Sequence, residues 1–183
     1  TSLIACDLSA VLQCPFPATS PLVLARYGRI RAHETLATEF IASGVIVYVI
    51  AGDGSTTCGT ERIDWQTGDL LVLPGGIPHL HSAAASTAIL WIVTNEPQVA
   101  FEHLQPPAMG QAPTDIVHYP AAEMLRQIEL IYEVGRDEEV AGSALVLSSA
   151  RQEASRNVLP TLTVAMNSLP GGVTQRPHRH NAV

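Results

Sequence analysis

The sequence predicts an all-β fold, an antiparallel sandwich or small barrel, with one helix after it. Short apolar runs alternate with turns such as Gly52-Asp53-Gly54, which is the pattern of short antiparallel strands. Hydrophobic residues make up 46% of the 183 residues and charged residues 15%, as in a folded protein and unlike a disordered one. From Pro120 to Val134 the apolar residues recur with the period of a helix instead of a strand.

Four segments are expected along the chain. Residues 1–21 contain three prolines and should form an irregular segment laid over the barrel. Residues 22–105 should form the barrel, 106–141 a linker with the helix, and 142–183 the beginning of a second barrel. Strands are predicted at Leu22–Ile30, Val45–Ala51, Glu61–Trp65, Leu70–Leu73, Ala88–Thr94, Ala144–Leu147 and Leu162–Ala165.

The helix is predicted to be amphipathic, with Pro120 in its first turn and Gly135 at its end. Its polar face is acidic, which an anionic membrane would repel, so it should pack between the two barrels. The apolar residues expected on its buried face are Met124, Leu125, Ile128, and Ile131 or Tyr132.

One motif connects the barrel to a family. From Gly68 there are five residues to Pro74, one more to Gly76 and two more to His79. Gly68-Asp69 turns the chain, Leu70 to Leu73 form a short buried strand, and the Pro-Gly-Gly run turns it again. This spacing resembles the second conserved motif of the cupin family. The resemblance implies a double-stranded β-helix, the jelly-roll cupin barrel, with His79 at the position of a metal ligand.

The other ligand positions of this first barrel are depleted. The run from Val47 to Gly52 resembles the end of the first cupin motif. Counting back from Gly52, the ligand Glu of the family falls on Val45, and its two ligand histidines fall on Glu39 and Ile41. The first barrel is therefore expected to be structural or dimer-forming.

An alternative is a rearranged metal site in the same barrel. It would use His33, Glu39, His79 and His81. Successive side chains of a strand alternate between its two faces, so His79 and His81 share a face if their segment is extended.

A second candidate metal site lies near residue 180. Gly172 precedes His178 by the spacing of the first cupin motif, and His180 follows. In a strand both histidines project to one face and Arg179 to the other. Neutral imidazole suits iron, zinc, copper or nickel. In the family a Glu and a third histidine follow, and both are expected downstream of Val183.

Two barrels in tandem resemble the bicupin relatives of gentisate 1,2-dioxygenase and similar aromatic ring-cleaving dioxygenases. This resemblance covers residues 22–183 and implies one Fe(II) held by three histidines, O2 as co-substrate, and opening of a hydroxylated aromatic carboxylate. His178 and His180 match two of the ligands, which places the metal in the second barrel. The best-known members of the family carry it in the first barrel. Substrate-binding candidates near this site in sequence are Arg151, Arg156 and Arg176, because arginine can bind a carboxylate through two hydrogen bonds.

Two other functions are carried as alternatives. One is a non-catalytic or truncated cupin that acts as a binding or scaffold protein. The other is a cupin isomerase, lyase or hydrolase that uses another divalent metal. Residues beyond Val183 that supply the missing Glu and histidine would favour the dioxygenase.

Composition excludes several classes of function. All ten basic residues are arginines, which excludes a lysine Schiff base in this chain. The net charge of -7 argues against a nucleic-acid partner, and no apolar run approaches the roughly 20 residues that span a membrane. Three cysteines without a C-x-x-C spacing indicate free thiols and a cytoplasmic location. A sheet edge near Val183 is expected to be either completed by further residues or covered by a second subunit, and a homo-oligomer is expected.

Overall fold

A computed structural model describes residues 1–108, 111–134 and 143–169, together with 171, 172 and 174. The strands are β1 Ser2–Ala5, β2 Leu24–Ile30, β3 Thr35–Thr38, β4 Gly44–Ala51, β5 Asp53–Cys58, β6 Glu61–Gln66, β7 Leu70–Pro74, β8 His79–Ala83, β9 Ala88–Thr94, β10 Val117–Tyr119, β11 Ser143–Leu147 and β12 Val164–Ser168. The helices are α1 Ser9–Leu12, α2 Glu96–Phe101 and α3 Ala121–Val134, and one 3-10 turn covers Ala150–Gln152.

Two antiparallel sheets form the barrel. The larger has six strands in the order β1-β2-β9-β4-β7-β10, and the smaller has four in the order β3-β8-β5-β6. Apolar side chains from both sheets fill the space between them, among them Ile30, Val47, Leu71, Leu90 and Ile92. From β2 to β5, and again from β6 to β9, consecutive strands alternate between the two sheets. The all-β fold expected from the sequence is confirmed.

The strand register decides which side chains of the small sheet enter the barrel. Thr38 and Cys58 lie opposite His79 on its two sides, and Thr56 lies opposite His81. Directly paired residues share a face of the sheet. A row of polar side chains therefore lies among the apolar residues of the interior.

A glycine permits the packing beside this row. Gly54 pairs with Trp65 across β5 and β6. A Cβ at position 54 would lie 2.0 Å from the carbonyl oxygen of Ser82 and 2.6 Å from the Trp65 ring. Only glycine lets the indole lie flat against this strand while β5 and β8 stay paired.

The outer face of the six-stranded sheet carries a second core. Ala25, Ile46, Val72 and Val93 of the sheet pack with Met124 of α3, and Leu147, Val158 and Leu159 belong to the same cluster. Strands β11 and β12 form an antiparallel pair that belongs to this layer. The second barrel expected over 142–183 stays a prediction, since most residues after Leu169 lie outside the described part of the chain.

The structure differs from the sequence-based expectations in three places. Residues 1–21 are not wholly irregular, because β1 extends the large sheet and α1 follows it. The linker contributes an edge strand, β10, which pairs with β7. Helix α3 buries Met124 and Ile128, as expected, but leaves Leu125 exposed, so its buried face is narrower than the predicted one.

Candidate functional site in the first barrel

Strand β8 carries two histidines into the barrel, as the alternation of side chains predicted. The His79 side chain is 1% exposed and that of His81 is 0% exposed. Their ring centroids lie 6.2 Å apart with an interplanar angle of 58°. The flanking strands present Thr38 and Cys58 opposite His79, and Leu36 and Thr56 opposite His81, so the immediate surroundings are apolar or weakly polar.

His81 belongs to a continuous chain of buried hydrogen bonds. The indole Nε1 of Trp65 donates to the Thr56 hydroxyl over 2.9 Å. The Thr56 hydroxyl lies 2.8 Å from His81 Nδ1, and the Thr38 hydroxyl lies 3.1 Å from His81 Nε2. Both nitrogens of this imidazole are therefore occupied by neighbouring side chains.

The hydrogen bonds and burial keep His81 neutral. Desolvation, with a smaller contribution from His79, lowers the pKa of His81 to about 3. A neutral imidazole has one donor and one acceptor nitrogen. Each threonine hydroxyl can accept a hydrogen bond from the first or donate one to the second. His81 is thus a structural link across three strands of the small sheet and not a free ligand.

His79 is the opposite case. Neither of its ring nitrogens has a hydrogen-bond partner among the described residues. Burial lowers the pKa of His79, while the Pro74 carbonyl acts in the opposite direction. A buried unpaired polar group costs about 1–3 kcal/mol. Desolvation raises the pKa of the neighbouring Cys58 thiol to about 11, so this thiol is protonated at neutral pH.

These residues do not fit the three-histidine iron site of the dioxygenase resemblance. The interior offers one unengaged imidazole, on His79, and a second that Thr38 and Thr56 already hold. Val45, at the family position of the ligand Glu, is fully buried and apolar. Among the described residues no group of three or more His, Cys, Asp or Glu side chains is placed to hold a metal ion.

The rearranged site is not assembled in this structure. His33 and Glu39 are exposed, whereas His79 and His81 are buried. His33 has a left-handed backbone, with φ of 61°, and its N–H donates to the Ala84 carbonyl beyond the end of β8. The structure therefore brings together two of the four candidates.

The predicted arginines and C-terminal histidines fall into two groups. Arg151 is half exposed, and its Nε lies 2.7 Å from the Asp115 carboxylate, so it is an ion-paired surface residue. Arg156 is exposed on a turn with φ of 56°. The other three candidates, Arg176, His178 and His180, lie outside the described residues and stay predictions.

Sequence reasoning missed an arginine inside the barrel. Arg26 faces the interior because it pairs with the buried Ile92 of β9. Its Nη1 lies 2.5 Å from the Glu96 carboxylate and 3.3 Å from the Thr94 hydroxyl, and its guanidinium carbon lies 4.6 Å from the centroid of the Phe40 ring. The sequence did contain a signal for this. Arg26 is two residues from both Leu24 and Gly28, so on a strand it shares their inward face.

Arg26 lines a cavity of about 400 Å³ at the open end of the barrel. Most of the wall is apolar, from Phe16, Pro17, Ile41, Val99 and Leu104. A larger and more polar cleft of about 590 Å³ lies at the other end of the barrel. There Asp69 is buried and accepts hydrogen bonds from His118 Nε2 and from the Ala121 N–H at the start of α3.

Comparison with known proteins places this arrangement in a family. The family model described as the AraC-like ligand binding domain matches residues 23–154, which run from the residue before β2 to the turn after β11. The chain belongs to this family. The matched range includes the buried histidines and Arg26, whereas Phe16 and Pro17 of the cavity beside Arg26 precede it.

Similarity to individual proteins covers smaller shares. A 5-aminosalicylate 1,2-dioxygenase from a Comamonas species is 30% identical to the AraC-like domain protein over 79 residues, which are 43% of this chain and 21% of that protein. The resemblance to cupins related to aromatic ring-cleaving dioxygenases, which the sequence motifs predicted, is confirmed.

Solved structures show the same fold. Two crystal structures of salicylate 1,2-dioxygenase variants from Pseudoaminobacter salicylatoxidans align with TM-scores of 0.69 and 0.67, at 16% and 13% identity. They cover 89% and 91% of this chain, which spans 57% and 65% of theirs. The chain therefore spans less than two thirds of the length of these relatives.

Proposed function

We propose that this chain is part of a ring-cleaving dioxygenase that acts on a hydroxylated aromatic carboxylate, with its metal site in the second cupin unit. The observation that carries the location is the state of the first barrel. His81 is tied into the Trp65–Thr56–Thr38 chain of hydrogen bonds, so His79 is left without a partner ligand. Similarity to a 5-aminosalicylate 1,2-dioxygenase over 79 residues supports the reaction class.

The proposed metal ligands are His178 and His180. Two imidazoles one residue apart on a strand lie on the same face, and Arg179 lies on the other. Bound Fe(II) would supply O2 activation there. The role proposed for the first barrel is to support the second unit through the outer face of its large sheet, where the second core is formed.

The test uses the native protein loaded anaerobically with Fe(II). We expect O2 consumption with gentisate, salicylate or a hydroxynaphthoate. His178→Ala and His180→Ala should each lose iron and turnover, because each removes one of the metal bonds. Arg179→Ala, the matched control on the same segment, should keep most of both.

A control in the first barrel tests the location of the metal. His79→Gln should leave the iron content and the turnover near those of the unchanged protein. Iron lost from His79→Gln but kept in His178→Ala would move the metal to the first barrel and contradict the proposal. Absence of O2 consumption with all three acids, by protein shown to hold iron, would reject the dioxygenase.

The second candidate function is binding of a small molecule without chemistry. The family description, a ligand-binding domain matched over residues 23–154, favours it. In that case an aromatic carboxylate should raise the melting temperature of the protein while O2 consumption stays at background. Finding neither stabilisation nor O2 consumption would favour a scaffold role for the protein.

A further inference from the structure

We propose that the open end of the first barrel is a binding site for a small apolar or aromatic monocarboxylate, with Arg26 as the group that binds the carboxylate. The aromatic body of the ligand rests on the proposed function. The carboxylate specificity follows from Arg26 and its surroundings alone, and it requires no metal.

Arg26 is a fixed and largely desolvated cation. Its side chain is 12% exposed, and the guanidinium lies over the Phe40 ring at 4.6 Å. A cation over an aromatic face is held more strongly when it is shielded from water. The charge is therefore positioned before any ligand arrives, which lowers the entropic cost of binding.

Part of the guanidinium is unused. The hydrogen bond and the ion pair found for Arg26 among the described residues both use Nη1, toward Thr94 and Glu96. A guanidinium has five N–H donors in a planar fork that matches a carboxylate through two parallel hydrogen bonds. The edge formed by Nε and Nη2 is thus available to a ligand in the cavity that Arg26 lines.

The cavity walls select an apolar body. Most of the lining residues are apolar, among them Phe16, Ile41 and Leu104, and the polar ones besides Arg26 and Glu96 are His103 and Gln105. Ile41 is 59% exposed, so a ligand in the cavity could cover part of its side chain. The volume of about 400 Å³ lies within the range of roughly 300–1,000 Å³ that small-molecule sites occupy.

The part of the cavity wall that Phe16 and Pro17 form is held in place by hydrogen bonds. The Ala18 N–H donates to Asp7 over 3.1 Å, and the Thr19 hydroxyl donates to the Cys6 carbonyl over 2.6 Å. The Ala25 N–H donates in turn to Thr19 over 2.9 Å. The segment that includes Phe16 and Pro17 is therefore tied to β2, one residue from Arg26.

Glu96 sets the affinity. Its carboxylate is the internal counter-ion of Arg26 and lines the same cavity. A ligand carboxylate must share the guanidinium with it and approach a negative charge, which weakens binding. Neutralising Glu96 should therefore tighten the complex, whereas removing the charge of Arg26 should abolish the preference for acids.

The experiment measures binding by calorimetry with the 183-residue chain in buffer containing EDTA. The probes are benzoate, salicylate and benzamide, which is the uncharged analogue of benzoate. We expect benzoate and salicylate to bind at least tenfold more tightly than benzamide. Arg26→Gln should remove at least tenfold of the benzoate affinity, Glu96→Gln should increase it several-fold, and Arg29→Gln, an exposed arginine on the same strand, should leave it unchanged.

Three results would overturn the proposal: no binding of either acid, equal affinity for benzoate and benzamide, or full affinity in Arg26→Gln. Because Arg26→Gln leaves Glu96 without its partner, the double variant Arg26→Gln/Glu96→Gln serves as a second test. It restores charge balance, and circular dichroism checks that it is folded. If neither Arg26 variant folds, the benzamide comparison and Glu96→Gln decide the question.

The outcome is separable from that of the dioxygenase proposal. Binding is measured without iron, so failure of O2 consumption by the native protein leaves this site untouched. Carboxylate binding at Arg26 without any O2 consumption would support the non-catalytic ligand-binding function. O2 consumption that is unaffected by Arg26→Gln, together with no binding to the metal-free chain, would confine the substrate to the second unit.

Discussion

Removing the Thr56 hydroxyl should destabilise the barrel by several kcal/mol, although the change adds no volume. This hydroxyl accepts the Trp65 indole N–H at 2.9 Å and lies 2.8 Å from His81 Nδ1. All three side chains are buried. Thr56→Val keeps the branched shape but leaves two buried polar groups unpaired. At about 1–3 kcal/mol for each, the expected loss is about 2–6 kcal/mol.

Urea denaturation followed by far-UV circular dichroism measures this loss. A loss of about 2–6 kcal/mol is a large share of the roughly 5–15 kcal/mol by which domains are stable, so the transition midpoint should move clearly. Thr57→Val is the matched control, since Thr57 is the next residue on β5, points outward and is only partly buried. Its effect should be within about 0.5 kcal/mol.

A third variant separates the two halves of the network. Thr38→Val removes only the contact to His81 Nε2, at 3.1 Å, and leaves the Thr56 hydroxyl in place. It should cost about 1–3 kcal/mol, less than Thr56→Val. If Thr56→Val and Thr57→Val were equally stable, the buried chain of hydrogen bonds would not stabilise the barrel.

Two further predictions concern charge. Desolvation lowers the pKa of His81 in the folded protein to about 3, whereas an unfolded histidine has a pKa of about 6.5. As the pH falls, the unfolded chain therefore binds a proton that the folded chain does not, and the free energy of unfolding should drop by about 2 kcal/mol between pH 6.5 and 4.5. Urea midpoints across this range measure the drop, which His81→Gln should reduce and His33→Gln should not. Asp69→Ala should cost about 3 kcal/mol in the same assay, because the buried Asp69 carboxylate accepts hydrogen bonds from the partly buried N–H groups of Gln66 and Ala121. Asp64→Ala, at an exposed ion pair, should cost less than about 0.5 kcal/mol.

Each of these has a clear contrary result. A pH dependence that is the same in His81→Gln as in the unchanged protein would show that this imidazole titrates normally in the fold. Equal stability of the Asp69 and Asp64 variants would show that the helix start does not depend on the buried carboxylate.

Where the sequence carried a strict pattern, it was sufficient to predict the element. The five strands expected from Leu22 to Thr94 all occur, with ends shifted by no more than two residues. Most of them are short runs rich in Val, Ile and Leu and bounded by turns, a composition that favours strands. The motif from Gly68 to His79 predicted the turn, strand and turn that bring His79 inside the barrel. The helix starting after Pro120 followed from its period and its start signal.

Short polar strands could not be predicted in the same way. Strands β3, β5 and β8 are short and contain few large apolar residues, so no apolar pattern marks them in the sequence, although threonine itself favours strands. They become strands because pairing with neighbours satisfies their backbone groups, and that pairing depends on residues far away in sequence. Strand β10 is three residues long and exists through its pairing with β7.

The sequence by itself determined the fold class, the inward parity of His79 and His81, and the absence of a standard ligand set in the first barrel. Only the tertiary structure decided that His81 is held by two threonines, that His33 and Glu39 stay outside, and that Arg26 lies at the base of a cavity beside Glu96 and Phe40. The physical reason is the same in each case. Parity and spacing are local properties of a strand, whereas a hydrogen-bond partner or counter-ion is chosen by the register between strands up to about 70 residues apart, such as β2 and β9.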